Sequence, residues 1–167
     1  MPMAAAVLPT WVLPTGITAG NVEMYGEDLD TDEDYSGTTI TTAPWSAVFE
    51  LNVSDAGNEL FFRPNQTSSG NSFVRFNETA RIGLLTITYD SSTLSDGHHT
   101  IFIVQDGSQI EAFADNVSIG SELGQEYING SGTIAGATYT RGLLKYAVYN
   151  VALTSGQRSE LHTDMLA

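Results

Sequence analysis

Short runs of strand-forming residues, separated by turn signals, constrain the fold of this 167-residue chain more than any other feature. Turn dipeptides such as Asp96-Gly97, Asp106-Gly107 and Asn129-Gly130 separate several of the runs. About ten short strands separated by such turns predict an all-β sandwich or barrel rather than alternating strands and helices. After a first strand at 21–25, we predict strands at 38–42, 45–53, 59–63, 72–77, 81–89, 98–105, 109–115, 117–119, 132–140 and 142–149.

The C-terminal segment predicts a strand, residues 142–149, followed by a short helix. Thr154 is a good N-cap residue, and Gln157 three residues later can complete a capping box with it. Leu161 and Met165 lie on one stripe of the predicted helix. Because an isolated helix this short is marginal in water, we expect it to dock on the rest of the chain.

The composition indicates one acidic globular domain. Hydrophobic residues make up 41% of the chain and the net charge is −14, with Lys145 the only lysine among six basic residues. A surface of this charge repels nucleic acid and anionic membranes, so both are excluded as partners. The chain has no cysteine, which excludes disulfides and thiolate metal sites. No apolar run is long enough to form a membrane-spanning helix.

The first 20 residues are predicted to form an extended apolar N-terminal arm, separate from a domain at 21–167. Prolines disfavour a helix in the arm, and a free apolar arm would be a liability in water. It therefore packs on its own domain or docks on a neighbouring subunit. The candidate assembly-interface residues are Leu8, Trp11, Val12, Leu13 and Ile17. Since the arm has no basic n-region, we do not interpret it as a signal peptide.

An acidic segment follows the first strand and superficially resembles a calcium loop. It departs from the EF-hand pattern, because Glu33 replaces the required glycine and Thr39 replaces the closing glutamate. A solvated acidic loop is the favoured interpretation, and a cation site is the alternative. No cofactor other than calcium is predicted, and its candidate ligands are Asp28, Asp30, Asp32 and Asp34.

Two stretches of the chain resemble laminin-G-like domains of the concanavalin A-like lectin/glucanase superfamily. The first stretch is the closing strand and its corner, where Tyr149-Asn150 and Ala152-Leu153-Thr154 match the pattern of the family. The second is the predicted hairpin after Asp96, where His99, Asp106 and Gly107 match. The resemblance covers roughly residues 81–165. It implies an antiparallel β-sandwich of the jelly-roll type, with the short helix at its C-terminus.

The closing strand departs from this family pattern at Leu144 and Ala147, where acidic and basic residues are usual. The strand is therefore more apolar than expected of a solvated one. We predict that it is covered on both faces, by the helix, the arm or a neighbouring subunit.

Catalysis needs to be tested because the superfamily includes glucanases. A retaining glycosidase requires two neighbouring carboxylates. Glu111 and Asp115 lie four residues apart on one strand, and Glu50 stands alone in its strand, so no catalytic pair is predicted. The adjacent residues His98 and His99 point to opposite faces of a strand and cannot chelate one metal together. The chain is predicted not to be an enzyme.

Carbohydrate binding needs exposed aromatic rings beside polar side chains. The candidate carbohydrate-binding residues are Tyr35, Tyr127 and Tyr139, which stand in or beside polar loops. Trp45 opens a strand with Val48 and Phe49, which favours a core position for it.

Two functions remain open. The first is a non-catalytic structural protein, most simply a virion component such as a capsid decoration or tail-fibre protein, since the resembling modules recur in phage structural proteins. The arm would anchor it to other subunits, a homo-oligomer is expected, and the chain would be made in the host cytoplasm without a signal peptide. The alternative is a carbohydrate-binding module, assisted by calcium, with glycans as partners.

Overall fold

The computed structural model describes most of one face of the molecule and parts of the other. It describes residues 7–27, 33–36, 40, 43–53, 61–63, 74–75, 79–82, 85–88, 97–124, 131–134 and 143–167. Side chains are described for residues 7–27, 40, 43–50, 97–124 and 144–167.

The described residues form twelve β-strands, two short 3-10 helices and one α-helix. The strands are β1 (Val22–Glu27), β2 (Glu33–Ser36), β3 (Trp45–Val53), β4 (Phe61–Arg63), β5 (Val74–Arg75), β6 (Thr79–Ile82), β7 (Leu85–Thr88), β8 (Gly97–Gln105), β9 (Gln109–Ala114), β10 (Val117–Leu123), β11 (Ser131–Ile134) and β12 (Leu143–Tyr149). The 3-10 helices are Thr10–Val12 and Ala19–Asn21, and the α-helix α1 is Ser155–Met165.

The strands form two antiparallel sheets that build a β-sandwich, as predicted. Sheet A has the strand order β1-β12-β3-β8-β9-β10, and sheet B has the order β2-β11-β4-β5-β6-β7. Strands from both ends of the chain therefore meet in sheet A, where β12 lies between β1 and β3. The fold is an antiparallel β-sandwich, and the described residues end in a short helix, α1.

Two tight turns shape the β8–β9–β10 meander. At the first turn, the Asp106 carboxylate accepts hydrogen bonds from the backbone N–H groups of Ser108 (2.8 Å) and Gln109 (3.0 Å). Gly107 has a φ of 110°, which explains the glycine there. At the second turn, Asp115 and Asn116 have φ values of 49° and 62°, in the left-handed region that Asn and Asp adopt more readily than most residues.

Two of the predicted elements differ in kind from the structure. The predicted strand 81–89 is instead an antiparallel pair, β6 and β7, in which Ile82 faces Leu85 across the reversal. The predicted acidic loop contains β2, which pairs with β11. Of the predicted strand 38–42, Ile40 forms an isolated β-bridge and the other residues lie outside the described ones. A continuous strand pattern with a central glycine does not distinguish one strand from a tight hairpin.

The inner face of sheet A is mainly apolar and is closed to solvent, with Gln105 a buried polar residue on the same face. Because side chains alternate along a strand, residues of one parity on β3, β8, β9 and β12 point into the sandwich. Those on the inner face include Trp45, Ala47, Phe49, Ile101, Ile103, Ile110, Ala112, Tyr146 and Val148, and each is buried. The predicted core position of Trp45 is confirmed.

The C-terminal helix forms as predicted. Thr154 accepts a hydrogen bond from the backbone N–H of Gln157, whose side chain in turn accepts from the Thr154 N–H. This reciprocal capping box begins α1. Leu161 and Met165 are buried on its docked face, so the predicted stripe is confirmed.

Candidate functional site

The outer face of sheet A is covered by the N-terminal arm and α1. Its strands contribute Val48, Phe102, Phe113, Ala147 and Tyr149, and these side chains pack with residues of the arm and the helix in one cluster. We call this the outer-face cluster, and it also contains Trp11, Val12, Ile17, Val104, Leu153, Leu161 and Met165. The predicted cover over both faces of the closing strand is therefore confirmed for residues 146–149.

Hydrogen bonds fix the arm to the C-terminal end of the chain. The Tyr149 hydroxyl donates to the Val12 carbonyl oxygen at 3.0 Å, and burial raises the pKa of this hydroxyl. The Thr15 N–H donates to the Glu160 carboxylate at 2.8 Å, and the Gln157 side chain donates to the Thr15 carbonyl at 3.1 Å. The arm, predicted to be extended, includes the two 3-10 helices between its extended parts.

The five predicted interface residues of the arm face their own domain. Trp11, Val12 and Ile17 are buried in the outer-face cluster, and Leu8 and Leu13 are partly buried against it. The sequence left two alternatives for the arm, packing on its own domain or docking on a neighbouring subunit. The contacts of these side chains are those of packing on the same domain. A contact of these residues with a neighbouring subunit stays a prediction.

A first polar group lies beneath the C-terminal end of α1 and centres on Glu50. This carboxylate is only 3% exposed. Its Oε1 lies 3.0 Å from His98 Nδ1, and its Oε2 lies 3.5 Å from Lys145 Nζ and has no hydrogen-bond partner. Lys145 also donates to the Met165 carbonyl oxygen at 3.0 Å. A buried carboxylate needs neighbouring cationic or hydrogen-bonding groups, because burying an isolated charge is costly.

A second polar group centres on Asp115 at the β9–β10 turn. Its Oδ2 lies 2.7 Å from His99 Nδ1, and its Oδ1 accepts from the Thr100 backbone N–H at 3.0 Å. His162 Nδ1, on α1, lies 2.7 Å from the Thr100 hydroxyl oxygen and 3.9 Å from Asp115 Oδ1. The group therefore links the turn, β8 and α1.

The two groups hold the helix on the sheet and are not arranged as a catalytic or metal site. His98 and His99 contact different carboxylates, as the predicted alternation along the strand requires. In the described part of the chain, no group of three or more metal-ligating side chains is placed to hold an ion. Sequence reasoning missed the partners of Glu50 and Asp115, because the pairing depends on strands far apart in sequence.

Arg158 anchors the N-terminal half of α1. Its guanidinium carbon lies 3.8 Å from the centroid of the Phe113 ring, a cation–π contact. It donates to the Asn116 side-chain oxygen at 3.0 Å and to the Leu153 carbonyl at 2.9 Å. Partial burial lowers the pKa of this guanidinium. The helix is therefore held at both ends by cationic side chains.

None of the seven ligand-binding residues predicted from the sequence belongs to the described outer face of sheet A. Tyr35 and Asp34 lie in β2, the edge strand of sheet B, where the backbone alone is described and Tyr35 faces Gly132 of β11. The remaining candidates, Asp28, Asp30, Asp32, Tyr127 and Tyr139, lie outside the described residues. Whether the predicted binding residues share one site therefore stays a prediction.

Sheet A offers little open surface from β12 to β9, since its inner face is buried and its outer face carries the arm and helix. Its two edge strands are more exposed: Glu23 and Glu27 of β1 are exposed, and on β10 Val117 and Leu123 are large exposed apolar residues. None of the described helices is long and apolar enough to cross a membrane.

Comparison with solved structures finds carbohydrate-binding β-sandwich domains among those of similar fold. Domain 4 of AbnA, a GH43 extracellular arabinanase from Geobacillus stearothermophilus solved with arabinotriose, has a TM-score of 0.56 and 11% identity, covering 85% of this chain and 98% of that domain. The CBM40 domain of the Ruminococcus gnavus IT-sialidase, bound to α2,3-sialyllactose, has a TM-score of 0.56 and 10% identity, covering 86% and 98%.

A larger neighbour contains the same sandwich as part of its length. The binding domain of Paraclostridial Mosquitocidal Protein 1 has a TM-score of 0.51 and 13% identity, covering 92% of this chain and 47% of that one. No family model and no curated protein matches the sequence. At these identities the likeness shows the lectin-like fold; the narrower laminin-G-like assignment is not shown.

Proposed function

We propose that this chain is a non-catalytic carbohydrate-binding module, and that it belongs to the laminin-G-like branch of the lectin-like sandwiches. The observation that carries the proposal is the likeness to whole carbohydrate-binding domains, with 98% of each of two such domains covered. The fold alone does not fix a function, so the proposal also takes account of the outer face of sheet A, which the arm and α1 already cover.

We propose a glycan site on sheet B or on the loops, away from the covered outer face of sheet A. The arm and α1 occupy the outer face of sheet A, and a saccharide needs a face on which an aromatic ring is accessible. Tyr35 belongs to the edge strand of sheet B, and Tyr127 and Tyr139 remain its companion candidates. We propose these three residues as glycan contacts.

The described carboxylates support a module without hydrolytic activity. Glu50 is buried and engaged with His98 and Lys145, while Asp115 is engaged with His99 and a backbone N–H. Among the described residues, the partners of these two carboxylates are histidine, lysine and a backbone N–H rather than the second carboxylate that a glycosidase pair needs. We expect no release of reducing sugar from any glycan that the protein binds.

A glycan-array screen of the full chain, with and without calcium, tests the proposal. We expect binding to at least one glycan, and loss of that binding in at least one of Tyr35→Ala, Tyr127→Ala and Tyr139→Ala, since stacking on an aromatic ring carries much of the affinity for a sugar. Leu123→Ala, an exposed substitution on sheet A, is the matched control and should bind normally. Absence of binding under both conditions would contradict the proposal.

The calcium-assisted form of the proposal has its own test. Asp28→Asn, Asp30→Asn, Asp32→Asn and Asp34→Asn should each weaken calcium binding measured by calorimetry. Glu122→Gln on exposed strand β10 is the charge-matched control and should leave calcium binding unchanged. Glycan binding that is identical in calcium and in chelator would exclude calcium assistance while leaving the carbohydrate-binding module intact.

The virion role, the anchoring subunits and the homo-oligomer stay predictions from the sequence, since none of the comparisons bears on them. Co-purification of the chain with a larger particle tests all three.

A further inference from the structure

We propose that the outer face of sheet B binds an acidic oligosaccharide through arginines of three adjacent strands. The inference rests on the proposed carbohydrate-binding function and names the chemical class of the glycan. The arginines are Arg63 of β4, Arg75 of β5 and Arg81 of β6. They are three of the six basic residues in a chain with twenty acidic ones, so half of its basic residues lie on neighbouring strands of one sheet.

The strand register places the three arginines on one face of sheet B. Arg75 is paired directly with Arg81 on one side and with Phe61 of β4 on the other. Arg63 is two residues from Phe61, and residues two apart on a strand share a face. We call the face that carries Phe61, Arg63, Arg75 and Arg81 the arginine face.

The opposite face of the same strands is apolar. The register places on it Phe62, Val74, Ala80, Ile82, Leu85 and Ile87. In a β-sandwich the apolar faces of the two sheets form the core between them. We therefore infer that the arginine face is the outer face of sheet B, on the side of the molecule opposite the arm and α1.

The charges on the arginine face indicate an anionic ligand. Arg75 and Arg81 are directly opposite each other in an antiparallel pair, where like charges destabilise a sheet. A carboxylate or sulfate bound there offsets this cost, because a guanidinium group can donate two parallel hydrogen bonds to such an anion. In the described strands of sheet B the acidic residues are Glu33 and Asp34 of β2, and β11 separates that strand from β4. These two acids are therefore not register partners of the arginines.

The residues around the arginines favour a saccharide over a nucleic acid or another long polyanion. Phe61 places an aromatic residue next to Arg75, and sugars bind where aromatic and polar groups lie together. Thr86 is the register partner of Arg81 and adds a hydroxyl-bearing residue to the same face. The whole chain has a net charge of −14, which repels a long polyanion more strongly than a sugar with few charges.

Comparing acidic oligosaccharides with neutral forms of the same sugars tests the charge of the ligand. The full chain is screened on an array of carboxylate-bearing and sulfate-bearing oligosaccharides, beside their methyl esters and desulfated forms. We expect binding to at least one acidic oligosaccharide, with a loss of affinity of about tenfold or more in its neutral form. Binding confined to carboxylates or to sulfates would identify the anion that the arginines recognise.

Substituting the arginines tests the face itself. Calorimetry with an oligosaccharide that binds on the array should show that Arg75→Gln and Arg81→Gln each weaken binding by about tenfold or more. Arg75→Lys keeps the charge without the planar donor geometry, so its affinity should lie between those of wild type and Arg75→Gln. Arg158→Gln removes the same charge from α1, on the other side of the molecule, and should bind as wild type does. Thermal unfolding of each variant checks that it is folded at the temperature of the measurement.

The outcomes separate this inference from the proposed function. Tyr35 lies on the opposite face of sheet B from the arginines, so a site at the tyrosines alone would leave the arginine variants unaffected. Binding to neutral glycans only, or unchanged binding in Arg75→Gln and Arg81→Gln, would overturn the arginine site and leave the carbohydrate-binding module intact. Equal affinity for a DNA oligonucleotide or polyglutamate would overturn the choice of a saccharide. Absence of binding to every glycan, acidic or neutral, would overturn both proposals.

Discussion

Lys145 links three parts of the molecule that are distant in sequence. Its ammonium group lies 3.5 Å from the Glu50 carboxylate, donates to the last turn of α1 at Met165, and lies 6.0 Å from the centroid of the Trp11 ring in the arm. A cation is favourable at the carbonyl end of a helix and next to a buried carboxylate. The single lysine of this acidic chain thus connects sheet A, α1 and the arm.

At the β8–β9 turn, the stability that Asp106 contributes should depend on pH. Hydrogen bonds from the backbone N–H groups of Ser108 and Gln109 lower the pKa of its carboxyl group. A lowered folded-state pKa means that the stabilisation is fully present above the unfolded pKa, about 3.9, and is lost as the pH falls through the folded value. We therefore expect Asp106→Asn to lower the melting temperature by a constant amount from pH 7 down to about pH 5, and by progressively less as the pH falls below about 4.

Thermal unfolding of both proteins between neutral pH and the acid limit of the folded state measures this difference. Glu122→Asn, on the exposed part of β10, is the control for removal of an exposed acid and should show no such trend. A difference between wild type and Asp106→Asn that stays constant with pH would contradict the role of the charged carboxylate.

Among the elements, α1 depends on its N-terminal cap. The Thr154 side chain accepts a hydrogen bond from the Gln157 N–H, and removing an N-cap threonine costs about 1 kcal/mol in other helices. We expect Thr154→Ala to lower the free energy of unfolding by about this amount, measured by urea denaturation. Because Thr154 and Gln157 act as one unit, Thr154→Ala and Gln157→Ala should be less than additive.

Thr163→Ala is the matched control on the same helix. Thr163 is exposed and its hydroxyl donates to the Ser159 carbonyl within the helix, so its loss should change stability by no more than about 0.5 kcal/mol. Equal effects of the two threonine substitutions would show that the cap does not hold the helix.

The elements that could be predicted from sequence are those whose signals are local. The capping box at Thr154 and the turn at Asp106-Gly107 depend on residues three or fewer apart, and both form as expected. The pair of β6 and β7 was predicted as one strand, because both strands share the same strand-forming composition. The acidic composition likewise concealed β2, which forms by pairing with β11 at long range.

The polar groups under the helix could not be predicted for the same reason. Glu50 appears isolated in its strand, and its contact with His98 depends on the pairing of β3 with β8. Strand alternation does predict that His98 and His99 face apart, and they do contact different carboxylates. The candidate glycan and calcium residues were predicted to lie in or beside polar loops, where neither periodicity nor packing fixes a position from sequence.

At the scale of the whole molecule, the arm and α1 come from opposite parts of the sequence and meet on the outer face of sheet A. The arm and α1 contact each other through Thr15 and Glu160, and both cover the outer face of sheet A. If the proposed glycan site lies on sheet B, it is on the opposite side of the sandwich from the arm and α1. Substitutions in the arm should then change stability without changing glycan specificity.

The cover formed by the arm can be tested by deleting residues 2–20. Trp11, Val12 and Ile17 are buried against the sheet, and burial of such side chains stabilises a protein by about 1.5–3 kcal/mol each. Ordering the arm offsets part of this gain. We expect the truncated chain to have a lower urea midpoint and to bind the hydrophobic dye ANS more strongly, because the outer-face cluster becomes exposed.

A synthetic peptide of residues 7–21 added to the truncated chain should reverse both changes, since the deletion leaves the surface that it covers in place. The same peptide with Trp11→Ser and Val12→Ser lacks two buried anchors and should have no effect. Rescue by the first peptide and not by the second would show that the arm stabilises the domain through its apolar side chains. A truncated chain with an unchanged urea midpoint and unchanged dye binding would instead show that the stability of the sandwich does not depend on the arm.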